Sequence, residues 1–324
     1  MELSILRPSA PLLAGAVLLD LLFGDPVYAA HPVRLMGRTL AQFEKLLRAA
    51  GLDGYFGGTL LFLLLTALWC GGLSGLVLAL AHWSYWAAMV LQLFLIYSLL
   101  ALRDLLRHGW AVEIAVRAGS LPDAHCEVSK LVGRDTERMD LAACRRAAME
   151  SLSENLTDGF VSPIFWYAVG GLPGIVLFKI VSTMDSMVGY KTPQYLRFGW
   201  CGARLDDVMN WLPARLNWLL ISVGAAIVPR CSPAKALRAG WRQHALLPGP
   251  NSGWSEATTA GAIQRRLVGQ IWRRGQLVTE LWLGDERDPP AGEDDSDLRR
   301  VAVLITTTGL LATGLAVLAI AALH

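Results

Sequence analysis

The fold is decided by residues 54–102, which read GYFGGTLLFLLLTALWCGGLSGLVLALAHWSYWAAMVLQLFLIYSLLAL and contain no Asp, Glu, Lys or Arg. A helix needs about 20 residues to cross a bilayer, and this stretch is long enough for two crossings. A break near His82-Trp83-Ser84 would end one helix at about residue 80 and begin the next at about 85. The sequence therefore predicts a transmembrane hairpin over about 57–102.

Residues 301–323 form a second uncharged stretch and directly follow Arg299-Arg300. They predict a C-terminal transmembrane helix, and the two arginines indicate that the preceding segment is cytoplasmic. Residues 159–178 contain several Gly and Pro residues, and the apolar stretch 216–229 is too short for a full crossing. Because freed backbone groups need protein or water around them at membrane depth, we expect these two segments to be re-entrant or interfacial helices.

The composition supports a membrane protein. Of 324 residues, 54% are hydrophobic and 17% are charged, against about 25% charged in soluble domains. The net charge of +2 gives no electrostatic footprint for nucleic acid. Strand-like alternation never persists, so we predict an all-α, polytopic integral membrane protein, one membrane-embedded domain over 1–324, with re-entrant or interfacial helices and large cytoplasmic helical segments. The acidic stretch 284–297 is expected to be a solvated loop without chemical content.

The first polar constellation follows the first apolar segment and contains His31, Arg34 and Arg38. Two X-Pro steps, at Pro26 and Pro32, predict that Asp25, His31 and Arg34 lie on a loop. Arg34 and Arg38 are four residues apart and could form one cationic face for an anion. The alternative is that these residues cap helices and anchor the chain at the membrane boundary.

The second constellation is a predicted helix over 140–158 in which Arg146, Glu150, Glu154 and Asp158 recur every four residues. This spacing stacks them along one helix face, where carboxylates repel one another unless a cation neutralises them. The pattern indicates either a solvated acidic stripe or a site for magnesium or a substrate amine. Gly159 is a plausible helix stop.

The third constellation combines Asp185 with a helix that carries Asp206, Asp207 and Asn210. The helix has an apolar stripe at i, i+3, i+4 and i+7, formed by Leu205, Val208, Met209 and Leu212. The aspartates and Asn210 fall in the opposite sector, and such oxygen donors are the ligands that Mg²⁺ accepts. An exposed acidic patch is the alternative.

The fourth constellation is His244 followed by the loop Pro248–Gly253, which leads into a helix. A Gly/Pro/Asn/Ser loop at a helix N-terminus presents unpaired backbone N–H groups that suit a phosphate. Alternatively, Ser252 or Ser255 acts only as a helix cap.

Six polar segments follow one another in order along about residues 16–270: HPVRLMGR (31–38), GRDT (133–136), ESLSEN with Asp158-Gly159 (150–159), DSMVGY (185–190), ARLDD through Arg215 (203–215) and PNSGW (250–254). Taken together, these segments resemble the adenosylcobinamide-phosphate synthases, the CbiB/CobD family of cobalamin biosynthesis. The sequence departs from the family at Ser255, where proline usually precedes the glutamate, and this puts only the helix cap in question.

The resemblance implies an integral membrane ligase that uses ATP and Mg²⁺. It would join the free carboxylate of adenosylcobyric acid, a corrinoid, to the amine of (R)-1-aminopropan-2-ol or of its O-phosphate. Glu150, Glu154, Asp158 and His31 are then the catalytic candidates, and the candidate metal ligands are Asp185, Asp206, Asp207 and Asn210. The candidates for substrate and phosphate binding are Arg34, Arg38, Asn155, Lys179, Arg204, Arg215, His244, Asn251, Ser252 and Gly253.

Because ATP is cytoplasmic, we expect all four constellations to face the cytoplasm from the cell (inner) membrane and to converge on one pocket. Homo-oligomerisation stays open. Two other functions are compatible with the residues. A membrane transferase of the prenyltransferase type would bind Mg²⁺-diphosphate, although its paired D-x-x-x-D motifs are missing and Asp206-Asp207-x-x-Asn210 is only a partial likeness. A non-catalytic membrane sensor would bind a ligand through the same polar residues.

Overall fold

The computed structural model describes residues 3–25, 28 and 31–323. The α-helices are α1 (Ala10–Phe23), α2 (Pro32–Ala49), α3 (Tyr55–Thr66), α4 (Gly72–Trp83), α5 (Tyr85–Tyr97), α6 (Leu102–Arg117), α7 (Leu121–Ser129), α8 (Leu141–Leu156), α9 (Ser162–Val188), α10 (Trp200–Met209), α11 (Trp211–Ile227), α12 (Pro233–Gln243), α13 (Ser252–Ile263) and α14 (Asp297–Leu323). Short π-helical segments, Ala67–Gly71 and Thr157–Val161, join α3 to α4 and follow α8. Two strands, β1 (Leu267–Arg273) and β2 (Gln276–Leu283), complete the elements.

Four helical segments of the described chain are long and apolar enough to cross a membrane: Tyr55–Trp83, Tyr85–Arg117, Leu141–Val188 and Asp297–Leu323. The predicted all-α membrane fold is therefore confirmed. The first segment ends at Trp83, and Ser84 caps the next helix by accepting a hydrogen bond from the Ala87 N–H. This is the break expected near His82-Trp83-Ser84, because a serine cap favours a new helix start.

The described chain comprises two compact units. The first unit consists of Met1–Ala101, Ser162–Asn210 and Thr313–His324. Its core includes Phe178, Val181 and Met209, and the Trp166 Nε1–H donates to the Met209 carbonyl oxygen at 3.0 Å. Gly171 interrupts α9 with a φ of 61°, a conformation that glycine adopts without steric cost. Residues 159–178 therefore contain a break in the helix, and their re-entrant or interfacial placement stays a prediction.

The second unit consists of Leu102–Val161 and Trp211–Ala312. Its central element is α13, in which every residue from Gly253 to Ile263 is buried. Helices α8, α11 and α12 pack around it. The approach of α12 requires Gly240, since a Cβ there would lie 2.3 Å from Thr258 Oγ1. Small residues thus let a short helix become the core of this unit.

The sequence analysis missed the antiparallel hairpin of β1 and β2. Its turn residues Arg274 and Gly275 both have positive φ angles, 51° and 75°, as two-residue hairpin turns of type I′ require. Both turn N–H groups donate to the carboxylate of Asp135, at 3.0 and 2.7 Å. A side chain distant in sequence therefore holds the turn, which local alternation does not reveal.

The expectation that 284–297 is a solvated loop without chemical content is wrong in part. Ala291 and Asp297 are buried, and Asp288 accepts a hydrogen bond from Lys235 Nζ at 2.8 Å. Asp294 and Asp297 both pair with Arg265, at 3.2 and 3.1 Å. The acidic residues therefore pair with cations of the second unit and fix the loop on it.

Two predicted local boundaries are also wrong. Arg34 lies in helix α2 and not on a loop, because Pro32 occupies the first turn of that helix, where a missing N–H and a fixed φ are well tolerated. Pro26, the other proline of that prediction, lies outside the described residues. Gly159 does not end a helix, because it lies inside the π-helical segment Thr157–Val161.

Candidate functional site

The first constellation lies at the start of α2 in the first unit. His31 is buried, and its Nε2 lies 2.7 Å from Asp25 Oδ1. The His31 and Tyr28 rings pack edge to face, with centroids 5.3 Å apart. Arg34 and Arg38 are exposed on α2, one turn apart and therefore on one face. The predicted cationic face is thus present, while His31 is held by a carboxylate and an aromatic ring.

The third constellation lies where α9 and α10 meet, also in the first unit. Gly202 allows this contact, because a Cβ there would lie 2.8 Å from the Met184 Cβ. Burial first, and then the charges of Asp185 and Asp207, raise the pKa of Asp206 to about 7, while the Asn210 amide acts in the opposite direction. The side chain of Asp206 therefore interacts electrostatically with three neighbours: Asp185, Asp207 and Asn210.

The surroundings of these carboxylates bear on the metal prediction. Asn210 Nδ2 donates to Asp206 at 3.0 Å, and Asn210 Oδ1 accepts from Ser162 Oγ at 2.6 Å. The Arg204 Nη1 atom lies 3.3 Å from Asp207 Oδ2. Within residues 3–25, 28 and 31–323, no three His, Cys, Asp or Glu side chains are arranged to hold a metal ion. The donors are the hard oxygens that Mg²⁺ prefers, and the Mg²⁺ assignment stays a prediction.

The apolar stripe predicted beside these residues does not form a buried face. Val208 is 71% exposed and Leu212 is also exposed, whereas Met209 is buried. The helix ends at Met209, so Asn210 caps it, and Trp211 begins α11. Lys179 is half-buried on α9.

A cavity of about 540 Å³ opens in the second unit, a size typical of small-molecule sites. Its walls are the α7–α8 loop, α8, the segment before α13, α13 and the hairpin. The lining residues are Leu131, Val132, Gly133, Arg134, Glu150, Ser151, Glu154, Leu246, Leu247, Pro248, Ser252, Glu256, Val268, Ile271, Arg273, Val278, Thr279 and Leu281. Apolar side chains thus surround three carboxyl groups and two guanidinium groups.

Glu150 is compensated on both carboxylate oxygens. Arg134 Nη2 donates to its Oε2 at 2.5 Å, and the Val268 backbone N–H donates to its Oε1 at 3.0 Å. Both side chains of this ion pair are buried, so removal of either partner would leave an unpaired buried charge. Glu150 therefore connects α8, the α7–α8 loop and the hairpin.

The rest of the acidic stripe divides between the cavity and its surroundings. Glu154 is exposed and lines the cavity. Asn155 Nδ2 donates back to the Ser151 carbonyl oxygen at 2.9 Å, and Asp158 lies in the π-helical segment, outside the lining residues. The π-helical turn changes the register of the face, which explains why four-residue spacing did not keep all three carboxylates together.

The sequence analysis did not assign a role to Glu256, which lies on α13 and lines the cavity. Glu256 is 7% exposed. Burial first, and then the charges of Glu154 and Glu150, raise the pKa of Glu256 well above its usual range, and Arg134 lowers it. One signal was available, since Glu256 is the only Asp, Glu, Lys or Arg between Arg242 and Arg265.

The fourth constellation forms a cluster at the N-terminus of α13. Arg215 Nη1 donates to Asn251 Oδ1 at 2.9 Å, and its guanidinium lies 5.0 Å from the centroid of the Trp254 ring. His244 stacks on the same ring at 3.9 Å. A Cβ on Gly253 would lie 2.0 Å from the His244 carbonyl oxygen, so glycine is needed there. Among the residues predicted for the fourth constellation, Ser252 lines the cavity of the second unit.

The structure therefore groups Asp185, Asp206, Asp207 and Asn210 in the first unit. In the second unit it brings Glu150, Glu154 and Ser252 to one cavity, with Arg215, His244 and Asn251 clustered at the α13 N-terminus. Convergence of all four constellations on one pocket stays a prediction. Together, the helices and the cavity define a polytopic all-α membrane protein with a cavity lined by side chains of both charges.

Comparison with known proteins specifies the family. The family model described as "CobD/Cbib protein" matches residues 13–305. Cobalamin biosynthesis protein CobD of Klebsiella pneumoniae is 39% identical over 299 residues, which cover 91% of this chain and 93% of the relative. CobD of a Sinorhizobium species is 40% identical over 296 residues (88% and 91%), and CbiB of Salmonella choleraesuis is 36% identical over 303 residues (91% and 93%). No solved structure is significantly similar. The chain belongs to the CobD/CbiB family, as the sequence motifs indicated.

Proposed function

We propose that this protein is an enzyme of cobalamin biosynthesis that ligates adenosylcobyric acid to (R)-1-aminopropan-2-ol or its O-phosphate, with ATP as co-substrate. The relatives, named cobalamin biosynthesis proteins, support the pathway. The observation that carries the chemistry is the cavity of the second unit, where Glu150, Glu154 and Glu256 meet Arg134. A ligand with an amine and an anionic group fits such mixed charge.

The chemistry requires activation, because a carboxylate does not condense with an amine at neutral pH. In the proposed reaction, ATP transfers its terminal phosphoryl group to the carboxylate oxygen, and ADP leaves. The amine lone pair then forms the C–N bond while the C–O bond to phosphate breaks and phosphate departs. The ammonium group gives up one proton before the attack and a second after it. Glu154, exposed to the cavity, is the proposed acceptor of one of them, and the departing phosphate takes up the other.

The nucleotide end of the reaction is assigned to the first unit. Asp185, Asp206, Asp207 and Asn210 would hold Mg²⁺. The raised pKa of Asp206 supports this, since burial and then the charges of Asp185 and Asp207 disfavour its ionised form, which a bound cation would favour. Bound Mg²⁺ would offset phosphate charge. The proposed phosphate and carboxylate contacts are Arg34, Arg38, Lys179, Arg204 and Arg215.

The proposed site faces the cytoplasm, where ATP is available. Single cysteines introduced at positions 155, 192 and 251 would report their side of the membrane by reaction with an impermeant maleimide. We expect all three to react from the cytoplasmic side only. Labelling of 155 and 192 from opposite sides would contradict the proposed topology.

Chromatography of products from the purified protein tests the reaction directly. With ATP, Mg²⁺ and adenosylcobyric acid present, we expect adenosylcobinamide from the free amine or adenosylcobinamide phosphate from its O-phosphate. The relative rates with the two amines would identify the substrate. A lipid product formed without ATP hydrolysis would instead favour the transferase alternative.

Two variants test the site, with ADP release and amide formation followed separately. Asp207→Asn removes a carboxylate from the first unit, and we expect ADP release to fall at least about tenfold, the effect of losing one charge-assisted contact. Glu154→Gln removes the proton acceptor, and we expect amide formation to fall by about 10²-fold or more. Asp53→Asn, on an exposed residue, is the matched control. Wild-type rates in both variants would overturn the assignment.

A further inference from the structure

Helix α11 presents an apolar stripe that the described part of the chain leaves exposed. Its only charged residue is Arg215, near its start. Four apolar side chains are between 45 and 59% exposed and recur at intervals of seven, four and four residues, which places them on one helix face: Leu212, Leu219, Val223 and Ile227. A continuous exposed apolar surface of this kind indicates a contact with lipid or with another protein.

The helix runs across the end of α8 and across α14. Asn217 Nδ2 donates to Thr157 Oγ1, directly after α8, at 2.8 Å. Seven residues further along α11, a Cβ on Gly224 would lie 3.0 Å from Thr308 Oγ1 of α14. Seven helical residues span about 10 Å, which matches the distance of about 8–10 Å between the axes of two packed helices. Each of the two helices is therefore met by a different turn of α11.

The two contacts lie at the same level along α14. A Cβ on Gly309, the residue after Thr308, would lie 3.1 Å from Phe160 Cε1, three residues after Thr157. Helix α11 is therefore roughly perpendicular to α14. Because α14 is long and apolar enough to cross the membrane, a helix perpendicular to it lies along the membrane plane.

The depth of α11 follows from its contacts with α14. Arg300, at the start of α14, marks the predicted membrane boundary. A Cβ on Gly224 would also lie 3.4 Å from Leu304 Cδ1. Leu304 and Thr308 follow Arg300 by about 6 and 12 Å along the helix. Helices that lie along a membrane surface are buried about 5–10 Å into it, so α11 lies where lipid headgroups meet acyl chains.

Helix α12 begins at the predicted membrane boundary. The N–H of its cap residue, Ser232, donates to the Ala262 carbonyl oxygen at 2.8 Å. The next carbonyl oxygen along the chain, that of Ile263, accepts from Arg300 Nη1 at 3.0 Å. The first turn of α12 is thus at the level of Arg300, on the headgroup side of α11.

Apolar side chains of α12 continue the surface of α11. Trp218 of α11 donates from Nε1 to the Leu237 carbonyl oxygen at 3.3 Å, and the Trp218 and Trp241 ring centroids are 5.8 Å apart. Leu237 and Trp241 lie one turn apart and are 41% and 64% exposed. Tryptophan is favoured where a membrane meets water, so this composition suits a helix on a membrane surface.

Two arginines beside this apolar surface are uncompensated. Arg238 and Arg242 are exposed and one turn apart on α12, and neither forms an ion pair with a residue that the structure describes. Lys235, on the same helix, is instead paired with Asp288 at 2.8 Å. Helix α12 contains no Asp or Glu, and arginine binds phosphate through several N–H donors. Charge complementarity therefore favours an anionic lipid headgroup over a second copy of the same basic face.

We propose that α11 and α12 form an in-plane helix pair that binds an anionic phospholipid of the cytoplasmic leaflet. The acyl chains lie against the exposed stripe of α11, and Arg238 and Arg242 bind the phosphate oxygens. The chain continues from α12 into the segment with Leu246 and Leu247, which line the cavity. The lipid contact therefore holds one edge of the cavity near the headgroups. This inference does not depend on the proposed reaction.

Depth-dependent fluorescence quenching tests the orientation of α11. A fluorescent amino acid is placed singly at position 212 or 223 of the full-length protein, in vesicles of phosphatidylcholine and phosphatidylglycerol. The vesicles also contain a phospholipid with a nitroxide either near the headgroup or near the end of an acyl chain. Positions 212 and 223 are about 16 Å apart along the helix, and we expect the shallow nitroxide to quench more strongly at both. Opposite preferences would show that α11 crosses the membrane, and no quenching would show that protein covers the stripe; either result would overturn the proposal.

Native mass spectrometry of the full-length protein in detergent tests the headgroup contact. The probes are dioleoylphosphatidylglycerol and, as the zwitterionic control with the same acyl chains, dioleoylphosphatidylcholine. We expect phosphatidylglycerol to bind more tightly. Each arginine near an anionic lipid surface contributes about fivefold in affinity, so Arg238→Gln/Arg242→Gln should weaken phosphatidylglycerol binding at least about tenfold and leave phosphatidylcholine binding unchanged.

A second double variant separates local contact from net charge. Arg274→Gln/Arg287→Gln removes the same charge from exposed residues outside both helices and should bind phosphatidylglycerol like the wild type. Thermal unfolding shows whether each variant is folded. A folded Arg238→Gln/Arg242→Gln protein with unchanged phosphatidylglycerol affinity, or equal weakening in the two double variants, contradicts the proposal.

Discussion

Replacement of Arg145 by methionine should destabilise the protein strongly, because it removes the cation of a buried ion pair. The Arg145 side chain is 4% exposed and donates to Glu113, 1% exposed, at 2.7 and 3.2 Å. It also donates to the Gly292 carbonyl oxygen at 2.7 Å. Breaking such a pair costs about 3–5 kcal/mol. Glu113 keeps a hydrogen bond from the half-exposed Arg117 at 2.7 Å. We therefore expect the free energy of unfolding to fall by about 3 kcal/mol, the lower end of that range.

The same guanidinium provides an internal control. Arg145 also donates to Asp295 at 2.8 Å, but the Asp295 side chain is 79% exposed, and exposed ion pairs contribute about 1 kcal/mol or less. Asp295→Asn should therefore cost less than about 1 kcal/mol. The double variant Glu113→Gln/Arg145→Met should recover part of the loss, since no buried charge is then left unpaired. Helical circular dichroism during SDS titration measures the free energy of unfolding. Equal losses in Arg145→Met and Asp295→Asn would refute this reasoning.

Two further predictions concern stability. The pKa of Glu256 is higher in the folded than in the unfolded protein, so its contribution to stability should be fully present below about pH 4.5 and be lost as the pH rises through the raised pKa. Melting temperatures should show a flatter profile for Glu256→Gln, and parallel profiles would contradict the electrostatic assignment. Gly171→Ala should cost about 1–3 kcal/mol, because φ is 61° and a Cβ would lie 1.9 Å from the Leu6 carbonyl oxygen. Gly170→Ala, with open space around it, is the thermal-unfolding control, and equal shifts in both variants would disprove the steric argument.

The membrane fold was predictable because it depends on composition over long stretches. Uncharged runs of 23 and 49 residues leave few alternatives to apolar helices, and Ser84 marks the break between two of them. The hairpin was not predictable in this way. Its seven- and eight-residue strands are too short for periodicity to distinguish them, and the contact that fixes the turn comes from Asp135.

The sequence predicted which side of a helix lines the cavity where charged residues repeat, but not which apolar side is buried. Four-residue spacing correctly brought Glu150 and Glu154 to one cavity. The stripe through Val208 failed because an apolar face in a membrane protein can meet lipid as well as protein, so periodicity alone does not show which side is buried. Arg134 forms an ion pair with Glu150, and no local sequence pattern indicates that these two residues pair.

Compensation of charge separates the structural carboxylates from the candidates for function. Glu113 and Asp297 are fully buried, and each accepts hydrogen bonds from arginine, so the folded chain already satisfies them. Asp206 and Glu256 differ, because no arginine or lysine of the described residues donates a hydrogen bond to either carboxyl group. The Asp206 carboxylate accepts from the Asn210 amide, and burial and then neighbouring carboxylates raise the pKa of both groups. Folding such groups costs free energy that an external cation would recover. A metal-bound nucleotide would supply that cation at Asp206, and this energetic argument is why we propose that the nucleotide binds there.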